Sequence, residues 1–271
     1  MDESFHITPD PEQVALGQRR ALLRNQLAKL YEERAFATGT EGPNLLSLYY
    51  REVGYLEVEC LKLDLHIARN LREIECITAA LNRDEPFDAT AIHRQVEEEF
   101  LEWQARINEE TRKLAEARDR ISSLMGPEET AEIRKRYRAL VMQLHPDIHP
   151  ERHPAMRNLW ERLQSAYTLG DLAEIRLIEN LVAADLPDSN DAVADPIQEE
   201  ITRLQELCKM LIDHLAEIRR QPPHTFRDLL EDPSALTTKK KALETKQLAL
   251  GKREAALREY LAHLKGEIVH E

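Results

Sequence analysis

Tyr49-Tyr50-Arg51-Glu52-Val53-Gly54-Tyr55-Leu56-Glu57-Val58-Glu59-Cys60-Leu61-Lys62-Leu63-Asp64-Leu65-His66-Ile67 begins the stretch, continuing to Leu81, whose reading decides the fold. Tyr49, Val53, Leu56, Cys60, Leu63, Ile67, Asn70, Ile74, Ile77 and Leu81 recur at alternating spacings of four and three. That is the heptad seam of a long helix. Asn70 is its one polar member, and a polar residue on such a seam fixes register at a cost in stability.

The pattern repeats outward. Asp84-Glu85-Pro86-Phe87-Asp88 breaks the first helix, and Val96, Phe100, Trp103, Ile107, Glu110, Leu114, Ala117, Ile121 and Leu124 then follow the same alternation. Two heptad helices of similar length around a short polar break predict an antiparallel hairpin. An intermolecular coiled coil, giving a homodimer, satisfies the same seam. Upstream, Asp10 as N-cap and Pro11 at the first helical position start a helix over about 12–37, and Thr38-Gly39-Thr40-Glu41-Gly42-Pro43 reads as the loop that ends it. Downstream, Ile197, Ile201, Leu204, Cys208, Leu211, Leu215 and Ile218 form a clean heptad run. After Gln221-Pro222-Pro223-His224 and a short helical turn, a weaker seam of Leu236, Leu243, Leu250, Leu257, Leu261 and Leu264 carries Lys240, Gln247 and Glu254 between its leucines. These last two helices are expected to pair as a second hairpin. No strand alternation occurs, so the expected fold is all-α. The expected division is an N-terminal bundle with the long hairpin over 1–125, a central segment over 126–183, a linker over 184–195 and a C-terminal hairpin over 196–271.

Composition agrees with helices and narrows function. Among 271 residues, 32% are charged, only 8 are Gly and 5% are aromatic. The net charge of −13 opposes a phosphate backbone, so nucleic acid is not an expected partner. Cys60, Cys76 and Cys208 each fall on an apolar stripe and read as small buried hydrophobes. The first residues show no basic region or apolar run, and no stretch has membrane-spanning length, so a cytoplasmic protein without membrane contact is expected. There is no Gly-rich phosphate loop, nucleophile elbow or zinc-protease motif, and neither enzymatic activity nor a cofactor is expected. Glu97-Glu98-Glu99 and Glu128-Glu129 read as solvated charge.

Residues 132–144 form an amphipathic helix with Ile133, Tyr137, Leu140, Val141 and Leu144 on one face. Pro146 stops it and leaves His145 and Asp147 in a loop. A further helix starts near Pro154 and carries Trp160, Leu163, Ala166 and Tyr167 toward the first. From Ile133 to Leu163 there are seven basic residues (Arg134, Lys135, Arg136, Arg138, Arg152, Arg157, Arg162) and three acidic ones (Asp147, Glu151, Glu161), a local charge of +4. The basic run alone is an ordinary solvated face. His145, His149 and His153, four apart, would make a metal face only on a continuous helix, which Pro146, Pro150 and Pro154 exclude, so no metal site is read.

Tyr137-Arg138, Leu140, Leu144-His145-Pro146-Asp147, Trp160, Leu163 and Ala166-Tyr167 together resemble the core of a J-domain over roughly 50 residues. Trp160 stands where that family usually has Phe, and Gln143 where Lys is common. The resemblance implies a co-chaperone that recruits a DnaK-type ATPase and stimulates it. His145, Pro146, Asp147, Arg134, Lys135 and Arg138 would then serve docking, with Tyr137, Leu140, Leu144, Trp160, Leu163, Ala166 and Tyr167 as core. The coiled coils would bind an unknown protein client. The family's first helix has no counterpart just before Glu128, and the end of the hairpin, Ile121 to Gly126, is expected to pack in its place. A coiled-coil scaffold that keeps the J-like segment as a structural remnant is the alternative reading.

Overall fold

The computed structural model describes residues 11–83, 86, 88–122, 124–150, 154–185 and 197–267, and they are helical with no strand among them. None of the described helices is long and apolar enough to cross a membrane. The elements are α1 (Pro11–Phe36), α2 (Gly42–Tyr49), α3 (Tyr55–Leu81), α4 (Ala89–Glu99), α5 (Leu101–Ser122), α6 (Pro127–Leu144), α7 (Pro154–Leu169), α8 (Leu172–Asp185), α9 (Ile197–Arg220), α10 (Phe226–Glu231) and α11 (Pro233–Glu267). The N-cap expected at Asp10 and most of the linker expected over 184–195 lie outside the described residues.

The chain divides into two units, each discontinuous in sequence: Met1–Pro43 with Leu124–Thr225, and Asn44–Ser123 with Phe226–Glu271. This differs from the division into successive segments expected from the sequence. The difference lies in which helices pair. In the first unit α9 runs parallel to α1: Arg20 and Arg24 meet Glu200, Glu33 meets Arg219, and Glu41 meets His224. In the second unit α11 runs parallel to α3, with Lys240 on Glu52, Lys246 on Asp64 and Lys265 on Glu73. The second hairpin expected from α9 and α11 is therefore replaced by two parallel pairings in separate units. The seams give the reason. The apolar run of α9 buries Ile201, Leu204, Cys208, Leu211 and Leu215, which needs a strongly apolar partner, and α1 supplies Leu23, Leu27 and Leu30. The seam of α11 is interrupted by Lys240, and Glu52, just before α3, supplies the carboxylate that answers it.

The first hairpin is present. Helix α3 lies antiparallel to α4 and α5, with Asn44 on Arg120, Tyr50 on Glu110 and Arg72 on Glu99. Its second strand of helix is not continuous: the chain breaks at Phe100, which has φ −105° and ψ 10°. Asp88 caps α4 by accepting from the Thr90 N–H.

The loop expected over Thr38–Pro43 is also helical. Pro43 has no N–H to give, and its ring crowds the carbonyl four residues back in an α-helix. The chain answers with a π-helical turn over Ala37–Glu41, in which the Gly42 N–H donates to Ala37 O. A second π-helical turn spans Tyr50–Gly54. There a Cβ on residue 54 would lie 2.5 Å from Tyr50 Cδ1, so only Gly lets the buried Tyr50 ring fold back on the helix.

Glu73, 3% exposed, shows how α3 tolerates a buried charge. Burial pushes its carboxyl up, but hydrogen bonds with Lys265 and His93 outweigh that and hold it below the usual carboxylate range. A depressed folded value contributes stability above the unfolded value of roughly 4.3, and that contribution is lost as pH falls through it. Glu73→Gln is expected to cost about 1–2 kcal/mol at neutral pH, because Lys265 and His93 keep contact with water. It should also flatten the decline of stability between about pH 5 and 3. Urea unfolding followed by Trp103 fluorescence in a Trp160→Phe background checks both, since the chain has two Trp and Trp103 belongs to the second unit.

Candidate partner-docking site

The segment around His145 lies wholly in the first unit. Gly126 precedes Pro127 at the start of α6, and Ile133, Tyr137, Leu140, Val141 and Leu144 are all buried along one face. Across from them, Trp160, Leu163, Ala166 and Tyr167 on α7 are buried as well. Tyr137 packs on Tyr167 at 3.9 Å between ring centroids and on Trp160 at 6.3 Å. Helix α7 ends in a Schellman turn: Asp171 N–H donates to Ala166 O, Gly170 N–H to Tyr167 O, and Gly170 takes φ +70°. Asp171 then caps α8 by accepting from Glu174 N–H at 3.0 Å.

The loop is held rather than free. His145 takes φ −66° and ψ 128°, the extended conformation that a following proline imposes. After Pro146, the N–H groups of Ile148 and His149 both donate to His145 O. Ile148 is fully buried and anchors the turn, while the His149 ring pairs with Met142 O at 3.0 Å. His145 itself is 6% exposed. Its ring stacks on Tyr31 at 3.6 Å and meets Trp160 edge-on at 4.5 Å. The Asp147 backbone N–H donates to His145 Nδ1 at 3.1 Å, which leaves Nε2 as the protonated nitrogen of the neutral ring. The Tyr31 hydroxyl donates to the Asp147 carboxylate. Burial first, and then this acceptor, raise the Tyr31 phenol above its ordinary value.

Sequence reasoning places these residues differently in three respects. His145 was expected to be presented in the loop, but it is buried between Tyr31 and Trp160, because an imidazole flanked by two aromatic rings gains more from packing than from solvent. Arg134 was expected to be solvated, but it is paired with the buried Glu32 and lies 3.9 Å over the Phe36 ring. Helix α1, which sequence reasoning did not place here, packs on α6 together with α7 and α8. Met125 sits against the α7–α8 turn, where a Cβ on Gly170 would approach its Sδ to 2.8 Å. The residues that sequence reasoning missed are Tyr31 and Glu32. Their one visible signal is an aromatic and an acid side by side in a helix that already had a full apolar face.

The basic side chains divide into two groups. Arg134 pairs with Glu32, Arg136 with Glu132 and Glu179, and Arg162 with Glu174. Lys135, Arg138 and Arg157 are exposed and make no ion pair with any described residue. Arg152, Glu151 and His153 lie outside the described residues. What faces solvent is therefore Lys135 and Arg138 on one face of α6, with the partly exposed Asp147 carboxylate beyond the helix end. Such an arrangement can bind a surface that offers carboxylates to α6 and a guanidinium to Asp147. The chain matches no family model, no curated protein and no solved structure.

Burial pushes the His145 imidazole down to about 4, against a smaller upward pull from Asp147 and with a further downward push from Arg34. The ring is buried neutral, so the unfolded chain binds a proton near pH 6.5 that the folded chain refuses. Stability is fully present above that value and is lost as pH falls toward 4, by about 2–3 kcal/mol in all. Unfolding followed by Trp160 fluorescence in a Trp103→Phe background is expected to show this loss, and His145→Asn should remove most of the pH dependence between 6.5 and 4.

Proposed function

We propose that this protein is a J-domain-type co-chaperone that docks on a DnaK-type ATPase through α6 and the His145-Pro146-Asp147 loop and stimulates its ATP hydrolysis. The single observation that carries the reading is the loop itself. It follows a helix that exposes Lys135 and Arg138, is anchored by Ile148, and holds Asp147 partly exposed beyond the helix end. Tyr137, Leu140, Leu144, Trp160, Leu163, Ala166 and Tyr167, the residues that carry the resemblance, are all buried around it. No bond chemistry is assigned to the chain. Lys135 and Arg138 attract an acidic surface, and Asp147 accepts a charge-assisted hydrogen bond from an arginine of the partner. The α3–α5 hairpin and its paired α11 supply the surface for a protein client, in a cytoplasmic setting.

A second reading is a scaffold in which the loop is structural. The internal pairing of Arg134, Arg136 and Arg162 favours it, because those cations are not available to a partner.

Single-turnover ATPase assays with a DnaK-type chaperone separate the two. Wild-type protein is expected to accelerate hydrolysis, and Asp147→Asn to abolish the acceleration. Lys135→Glu combined with Arg138→Glu should weaken half-saturation by about tenfold or more at low salt, with the gap narrowing as ionic strength rises. Equal rates with wild type and Asp147→Asn would exclude the co-chaperone reading and leave the scaffold.

A further inference from the structure

We infer that Tyr31 is a positioning residue for the His145-Pro146-Asp147 loop, so that the docking site is discontinuous and is completed by α1. The inference rests on the co-chaperone reading and goes beyond it, because it assigns a role to a helix outside the J-like segment. Tyr31 and Asp147 are 116 positions apart in sequence. Three contacts close a small ring between them. Tyr31 stacks on His145, His145 Nδ1 accepts from the Asp147 N–H, and the Asp147 carboxylate accepts from the Tyr31 hydroxyl. Asp147 is thus tied at both its amide and its carboxylate. A carboxylate has room for about four hydrogen bonds, so the Tyr31 bond orients it and leaves lone pairs for a partner. Orienting the group in advance removes part of the ordering that docking would otherwise require.

The same geometry divides the roles within the loop. His145, 6% exposed, cannot reach a partner and acts through Asp147, whose side chain is 43% exposed. Tyr31 is in turn fixed by its own helix. Helix α1 is clamped to α9 by Leu23 and Leu27 packing and by the Arg24–Glu200 bridge, and to α6 by the Glu32–Arg134 bridge. Loop geometry therefore depends on the α1–α9 pairing, although α9 itself does not reach the loop contacts described.

The full-length protein tests this with two readouts: single-turnover stimulation of a DnaK-type ATPase, and amide hydrogen exchange at Asp147, Ile148 and His149. Tyr31→Phe keeps the ring stack and removes only the hydroxyl. It is expected to speed exchange at Asp147 by about tenfold and to reduce stimulation by a similar factor, with helix content unchanged. Tyr31→Leu should do more on both counts, and the Phe variant should lie between it and wild type. Wild-type values for Tyr31→Phe on both readouts, with Asp147→Asn inactive, would overturn the positioning role and leave the co-chaperone reading standing. Stimulation above wild type would also overturn it, since the contact would then be restraining the loop. If wild type and Asp147→Asn are equally inert, the co-chaperone reading fails and this inference goes with it.

Discussion

Helix α1 is buried from two directions, and the first unit is arranged around that constraint. Leu23, Leu27 and Leu30 are almost fully covered in a core shared with α9, while Tyr31 and Glu32 are covered on the side that meets the loop and α6. Each buried leucine contributes about 1.5–3 kcal/mol from its area alone. Glu32 works in the other direction: at 3% exposed it would be costly without a partner, and Arg134 meets that need. The pairing has a functional consequence. It removes Arg134 from the solvated face of α6 and sets α1 at the height that brings Tyr31 over His145.

What was legible in the sequence was whatever a single helix can report about itself. The face of α6 from Ile133 to Leu144, the run of α9 from Ile201 to Leu215 and the hairpin of α3 with α4 and α5 all follow from periodicity. The choice of partner was not legible for α9 and α11, because a heptad seam names a need for an apolar neighbour without naming the neighbour. Nearness in sequence favoured a hairpin. The ion pairs of Lys240, Lys246 and Lys265 with Glu52 just before α3 and with Asp64 and Glu73 of α3 decide otherwise, and they are a pattern between two distant segments that neither displays alone. The π-helical turn before Pro43 was hidden for another reason. Gly39, Gly42 and Pro43 are ordinary loop residues, and only the i to i−5 bond from Gly42 to Ala37 lets the helix absorb them.

Charge shows a similar gap between sequence and fold. The +4 counted from Ile133 to Leu163 treats every cation as equivalent. In the structure Arg134, Arg136 and Arg162 are met by Glu32, Glu179 and Glu174, drawn from α1 and α8. The field that reaches a partner comes mainly from Lys135, Arg138 and Arg157, and it sits on a chain that is acidic overall. A narrow basic face on a chain that is acidic overall favours an acidic surface that approaches along α6.

Parallel pairing also constrains how the chain can be divided. Two helices of one chain can run parallel only if a long connection carries the chain back between them. In the first unit that return includes α6, α7 and α8, so the J-like segment is the crossover between α1 and α9 as well as the candidate docking element. The second unit is interleaved in the same way, with α2 to α5 before the crossover and α10 and α11 after α9. A fragment over 126–183 would keep the α6–α7 core but lose α1. It would leave Arg134 without Glu32, strip the cover from His145 and free one end of Asp147. Losing the cover would also return the His145 ring toward its ordinary titration, so the fragment's loop would carry positive charge at mildly acidic pH where the intact chain's would not. The tripeptide is local in sequence, but its conformation and its charge are set by a helix that the chain supplies from far upstream.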